Sequence, residues 1–333
     1  MQNQLRTKQL RRRGCGWGLQ RFLLVVVVIV LVGVNGLAWM QARAVTHFVS
    51  PGMPLLPIES LSLGQRMQLT ALGVPLPRPE NHFTPTDAGV AYETHTITLN
   101  DSEWLEGWWV PHPQPRGTVV MFSGYAASKQ QVGGAAQVLY NLGFNLFLID
   151  FRGAGGSSGS TTTLGIREAE DVAAAVAYAR QTWPPQRILL YGTSMGAAAV
   201  LRAVAVHGVQ PDAIIIESPF DQLLSAVRAR IRAFGMPTAP AAELMLFWGG
   251  VQQGINGFEH NPVAYAYAVT CPTLLLWGEQ DDRVAAGETE AIFANLSGPK
   301  QLIRLPHIGH DILLDKGPEV QQQAEQFLRE MGL

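Results

Sequence analysis

Cysteine is nearly absent from the chain. Cys15 and Cys271 are the only two in 333 residues, which excludes a disulfide framework. They also fall on opposite sides of a long apolar run, so they cannot pair within one folded chain. Acidic residues are missing from the start: none precedes Glu59, whereas Arg6, Lys8, Arg11, Arg12, Arg13 and Arg21 crowd the first positions. Beyond that cluster no basic patch with interleaved aromatics occurs, which argues against nucleic acid as a partner of the main body. Metal-ligand spacing of Cys, His and Asp is lacking too, so neither a metal nor a cofactor is expected. The glycines at 156–159 lack the Lys-Ser/Thr of a phosphate loop and the full spacing of a dinucleotide fingerprint.

What the chain does have is apolar bulk. With 47% hydrophobic residues in 333, it can bury one large core, and a single domain after an N-terminal segment is the first expectation. Residues 22–40 form a run of 19 without a charge, about 28 Å long as a helix, which is enough to cross a bilayer. Basic residues precede it and only Arg43 follows closely. By the positive-inside rule the N-terminus is cytoplasmic and the rest lies on the extracytoplasmic side of the membrane. The competing reading is a cleaved signal peptide and a secreted protein, since Ala42-Arg43-Ala44 has small residues at the two positions that matter; the apolar run is long for such a peptide. Cys15, beside the membrane, is a candidate for acylation or a free thiol. The resulting division is a basic segment over 1–21, a signal-anchor over 22–40, a Pro- and Leu-rich linker over 41–85, and a domain over 86–333.

The domain opens with β-branched alternation at 92–99, a turn at Asn100-Asp101 and a return run at 104–110, read as an antiparallel hairpin. After Pro115-Arg116-Gly117 apolar strands alternate with helical patterns, which predicts a mostly parallel sheet covered on both faces. Strands are expected at 118–122, 145–151, 187–191, 213–217, 273–277 and 301–305. Helices are expected at 132–142, 168–183, 197–207, 288–296 and 318–331. Residues 220–269 break this rhythm. They are too long for a connection and rich in Met, Phe, Trp and Leu, so they read as a helical lid over the strand ends, although such a stripe equally suits an ordinary core helix.

The strand at 187–191 runs into Gly192-Thr193-Ser194-Met195-Gly196 and then into a small-residue helix. A serine at such a strand–turn–helix apex is a candidate nucleophile, because the glycines let strand and helix approach closely. It needs a base, and the base needs a group to hold its tautomer. The strand at 273–277 ends in Gly278-Glu279-Gln280-Asp281-Asp282, with three carboxylates. The strand at 301–305 ends in Pro306-His307-Ile308-Gly309-His310, with two histidines. Serine, acid, histidine in that order at successive strand ends matches one known arrangement.

On these motifs the chain resembles the α/β-hydrolase superfamily, in particular membrane-anchored serine hydrolases of the esterase, lipase and serine-aminopeptidase branch, over residues 86–333. The resemblance selects Asp281, three residues after Gly278 and three before Val284, and His310, after Gly309. It implies an oxyanion hole formed by the amides of Met195 and of Tyr125, in Phe122-Ser123-Gly124-Tyr125, where Ser123 replaces the usual histidine. It also matches Asp150-Phe151-Arg152-Gly153-Ala154-Gly155 to a loop that shapes the floor of the site. The implied activity is hydrolysis of a small or lipid-like ester through an acyl-enzyme. Alternatives are an aminopeptidase, amidase or thioesterase of the same fold, and a catalytically silent membrane-attached binding module. An aminopeptidase would need an acidic patch for the free amine, for which only Glu243 and Glu259 offer themselves. Acyl length and oligomeric state are not legible.

Overall fold

A computed structural model of the chain describes residues 2–50, 62, 64, 72–183 and 187–333; over 2–19 it describes only the backbone, Trp17 excepted. The Cys15 side chain and residues 51–61, 63 and 65–71 of the expected linker lie outside the described residues.

Eight strands form one sheet: β1 (Glu93–Thr98), β2 (Trp104–Val110), β3 (Thr118–Phe122), β4 (Asn145–Ile149), β5 (Ile188–Thr193), β6 (Ala213–Glu217), β7 (Thr273–Gly278) and β8 (Lys300–Leu305). Their spatial order is β1-β2-β4-β3-β5-β6-β7-β8. The β1–β2 and β2–β4 pairs are antiparallel and the remaining pairs, from β4–β3 through β7–β8, are parallel. Every residue of β3, β4, β5, β6 and β7 is buried. Parallel strands covered on both faces require this, and it explains why they read as unbroken apolar runs rather than alternations.

The strands divide their side chains between two cores. Val120, Phe122, Leu190 and Ile214 pack with α3 (Glu168–Thr182) and α4 (Met195–His207) on one face. Val119, Met121, Leu189 and Ile215 pack with α2 (Gly133–Asn141) and α9 (Pro318–Glu330) on the other. The strand expected at 145–151 stops at Ile149, because Asp150 turns away to accept the amides of Lys129 (2.7 Å) and Gly156 (2.9 Å). Lys129 Nζ, fully buried, bridges Asp150 and Glu106.

Between β6 and β7 stand α5 (Leu223–Ala233), α6 (Ala241–Gln253) and the short α7 (Pro262–Ala266), in the stretch expected to be a lid; α8 (Ala286–Asn295) follows β7. The N-terminal α1 (Gln2–Thr46) is a single helix of 45 residues. Over Gln20–Thr46 it is long and apolar enough to cross a membrane. It stays helical through 41–46, within the expected linker, where Ala42 and Thr46 are buried and Ala42 lies against Gly249 of α6. The later part of that segment is packed down as well. Arg78 donates to the carbonyls of Ser157 (2.5 Å), Gly155 (2.8 Å) and Gly159 (3.0 Å), and so closes the 150–159 loop.

Candidate active site

The C-terminal ends of β3, β5, β6, β7 and β8 converge. In an open α/β sheet this edge collects unpaired loop groups and is where ligands bind. Ser194 follows β5 with φ 51° and ψ −113°, a left-handed backbone that a serine holds only when its surroundings fix it. Two features do so. The Ser194 amide donates to the Glu217 carbonyl at 2.8 Å. The flanking glycines also permit the sharp turn: a Cβ on Gly192 would lie 2.7 Å from the Gly196 carbonyl, and one on Gly196 would lie 2.8 Å from the Phe122 oxygen.

His310 Nε2 stands 3.0 Å from Ser194 Oγ, and His310 Nδ1 stands 2.7 Å from Asp281 Oδ2. The other Asp281 oxygen accepts the amides of Arg283 and Val284, each at 2.8 Å. Burial pushes the Asp281 carboxyl up, but the His310 hydrogen bond and charge and the two amides outweigh it and hold it below the usual carboxylate range. Its rivals are set apart. Glu279 and Asp282 are exposed, and so is His307, whose nearest polar contact is Gln280 at 3.5 Å. Ser194, His310 and Asp281 therefore form one hydrogen-bonded line, which can carry a proton from the serine to the imidazole while the carboxylate fixes the ring.

The loop after β3 lies against Ser194: a Cβ on Gly124 would be 3.6 Å from Ser194 Cβ, and the Gly124 amide is held by Gln131 Oε1 at 2.9 Å. Ser123, fully buried, turns its hydroxyl to the Ala127 carbonyl at 3.3 Å and so ties this loop to itself. Met195 opens α4, where a first-turn amide has no acceptor inside its own helix. The Tyr125 phenol donates to the Val45 carbonyl of α1 at 2.7 Å, with the Arg230 guanidinium of α5 over its ring at 5.5 Å. Burial pushes this phenol up to about 12, so it remains a donor.

Two contributors were not anticipated from sequence. Glu217 ends β6 with its carboxylate accepting the amides of Leu313 (2.8 Å) and Leu314 (2.9 Å), just past His310. Through its carbonyl and its carboxyl it therefore spans the serine and histidine loops. Burial, only partly offset by these amides, pushes the group up to about 7. The signal available in sequence was an acid closing an otherwise apolar strand, Ala-Ile-Ile-Ile-Glu. Val45 acts through its backbone carbonyl alone, which no residue pattern reports. His260, fully buried against Phe220 and Tyr265, is pushed down to about 3 by burial and by Arg202, and stays neutral. Among the described residues no three His, Cys, Asp or Glu side chains are grouped to hold a metal ion.

Comparison with known proteins agrees with this architecture. Residues 113–248 match the hydrolase family model described as serine aminopeptidase, S33. The esterase Pf2001 of Pyrococcus furiosus, 25% identical, superposes with a TM-score of 0.63 over 77% of this chain and 99% of its own. The chain is an α/β-hydrolase. The α/β-hydrolase GrgF of a Penicillium species shares the fold at 20% identity, with a TM-score of 0.56 over 73% of this chain and 100% of its own. An uncharacterised protein of Mycobacterium tuberculosis is 29% identical over 87% of this chain and 89% of its own length. In this α/β-hydrolase, as the fold leads one to expect, the candidate groups all stand on loops at one end of the sheet.

Proposed function

We propose that this α/β-hydrolase cleaves carboxylic esters of small or lipid-like substrates through an acyl-enzyme on Ser194. The observation that carries the reading is the line from Asp281 through His310 to Ser194, at 2.7 and 3.0 Å. Ser194 Oγ attacks the ester carbonyl as His310 takes its proton, and the amides of Met195 and Tyr125 stabilise the developing oxyanion. His310 returns the proton to the leaving alcohol. Water, activated by the same imidazole, then releases the acid and restores the serine. Asp281 stays ionised throughout and favours the imidazolium.

The structural likeness to an esterase supports ester over amide substrates. The family model described as a serine aminopeptidase favours a second reading, cleavage of amides next to a free amine. Against that reading, Glu243 is already paired with a cation, Arg228, at 2.5 Å, which leaves Glu259 alone where an acidic patch would be needed. We further propose that α1 is a retained single-pass anchor with the catalytic end of the sheet outside the cytoplasm. In support, the Ala42-Arg43-Ala44 stretch is helical and Ala42 is buried against α6, so the bond a signal peptidase would cut is not presented as an extended strand.

The test is hydrolysis of p-nitrophenyl esters and of aminoacyl anilides by the full chain in detergent, beside Ser194→Ala. Ester turnover that disappears in the variant is the expected result. Equal turnover by both proteins rejects the mechanism, and anilide turnover exceeding ester turnover favours the second reading.

A further inference from the structure

Where α6 touches α1 bears on what else this protein binds. Trp248 donates its indole N–H to Asn35 Oδ1 at 3.0 Å and sets its ring edge-on to Trp39 at 5.3 Å; Gln252 donates to the Trp39 carbonyl at 2.8 Å. Asn35 and Trp39 lie inside the apolar run 22–40. Asn35 is five residues before its end, about 7 Å along the helix axis. The lid helix is therefore fastened to the part of α1 that would stand at the edge of a bilayer, and not only to the turns beyond it. A polar Asn35 in an otherwise apolar run gains its side-chain partner from the lid, an arrangement suited to a site where water is scarce.

Beside these contacts α6 exposes apolar side chains. Phe247 (50% exposed) and Val251 (52%) adjoin Trp248 and Gln252 in sequence, and Phe258 (50%) follows on the next turn of chain. All three line one groove with Leu246 and Ile255. On α1, Trp39 and Met40 are similarly half exposed. Exposed apolar side chains thus stand on both helices beside their contact, and the Trp248–Trp39 pair lies near the end of the apolar run, where aromatic side chains gather at membrane–water boundaries.

We infer that α6 and the loop behind it, through Phe258, lie in the boundary layer of the bilayer that α1 crosses, with Phe247, Val251 and Phe258 against lipid. The inference rests on α1 being a retained anchor, as proposed above. Its consequence for the site is direct. Tyr125, on the oxyanion loop, is bonded to Val45, five residues past the apolar run, so the candidate nucleophile opens close to the lipid surface. An ester entering there comes from the lipid phase.

The experiment uses the full chain with both cysteines replaced by serine, reconstituted in phosphatidylcholine vesicles. Val251→Cys carries an environment-sensitive fluorophore, with Val206→Cys as reference. Val206 is equally exposed (50%) but sits at the far end of α4 from Ser194. The expected result is at least twofold stronger quenching by shallow spin-labelled lipid, and at least twofold weaker quenching by aqueous iodide, at 251 than at 206. Phe247→Cys and Phe258→Cys repeat the measurement, should one label disturb the helix. Equal iodide access at 251 and 206 overturns the inference, as does a label shielded from iodide but not quenched by lipid, which would mean a protein partner. Alkaline carbonate extraction of the same vesicles reads the anchor separately. Release of the chain overturns the anchor and this inference with it, whereas retention with an iodide-accessible label overturns the lid contact alone.

Discussion

The strand ends and the contact of α6 with α1 are held by different forces. At the strand ends each candidate catalytic side chain is fixed by directed hydrogen bonds of 2.7 to 3.0 Å: His310 by Asp281, the Asp281 carboxylate by two amides, the serine backbone by Glu217. Helix α6 rests on α1 by apolar packing, with an indole and a side-chain amide as polar fastenings there, while Arg167 and Arg228 tie it to neighbouring elements through the Gln253 carbonyl and Glu243. The candidate site thus rests on side-chain and backbone hydrogen bonds, and the contact of α6 with α1 mostly on the fit of apolar surfaces.

Substitutions at the strand ends should break this contrast most strongly. Asp281→Asn keeps the shape but leaves the imidazole in the wrong tautomer, and kcat should fall on the order of 10³ to 10⁴-fold. The melting temperature should fall far less than a buried unpaired charge would cause, which thermal unfolding in detergent can check.

Glu217→Gln should act through pH. The Glu217 carboxyl rises from an ordinary value of 4.5 to about 7 on folding. Its contribution to stability is therefore full below the unfolded value and is lost as pH rises through 7. The loss is on the order of 3 kcal/mol between pH 4.5 and pH 8. Chemical denaturation at pH 5 and pH 8 should show that slope in the wild type and a smaller one in Glu217→Gln. Asp171 and Glu288, whose carboxyls burial also pushes up to about 7, add to this fall in both proteins, and His260, held neutral, opposes it in both. An unchanged slope would remove Glu217 from the account.

Tyr125→Phe cuts the link between the loop after β3 and α1, worth about 1 kcal/mol as a neutral hydrogen bond. A loss of about three- to tenfold in kcat with KM held is expected, and a loss confined to KM would place the tyrosine in substrate binding instead. Smallest of all, Glu243→Ala removes a surface ion pair and should leave the midpoint of thermal unfolding almost unchanged.

The sheet and the three candidate catalytic residues were legible in sequence for a local reason. Buried parallel strands announce themselves as apolar runs, and the groups that follow them must fall at one edge of the sheet. The Gly192 and Gly196 spacing, the carboxylates after Gly278 and the histidines after Leu305 needed nothing from elsewhere in the chain. Choosing Asp281 over Asp282 and His310 over His307 depended on resemblance to a family, because the residues alone left both pairs open. What stayed hidden depends on distant contacts. Glu217 reaches across 96 residues to Leu313, Tyr125 reaches 80 residues back to a backbone carbonyl, and α6 meets α1 through Trp248 and Asn35, 213 residues apart. The stripe in 236–248 suits a core helix and a lid equally well as sequence, because its contact with α1 spans 213 residues of chain.

The central claim is that Ser194 is a nucleophile activated by His310. A fluorophosphonate probe applied to the full chain in detergent, followed by peptide mapping, tests it most directly. The expected result is a single covalent adduct on the peptide carrying Ser194, absent in Ser194→Ala and formed on the order of 10³-fold more slowly in Asp281→Asn. A folded wild-type protein that takes no label, or a label that persists in Ser194→Ala, contradicts it.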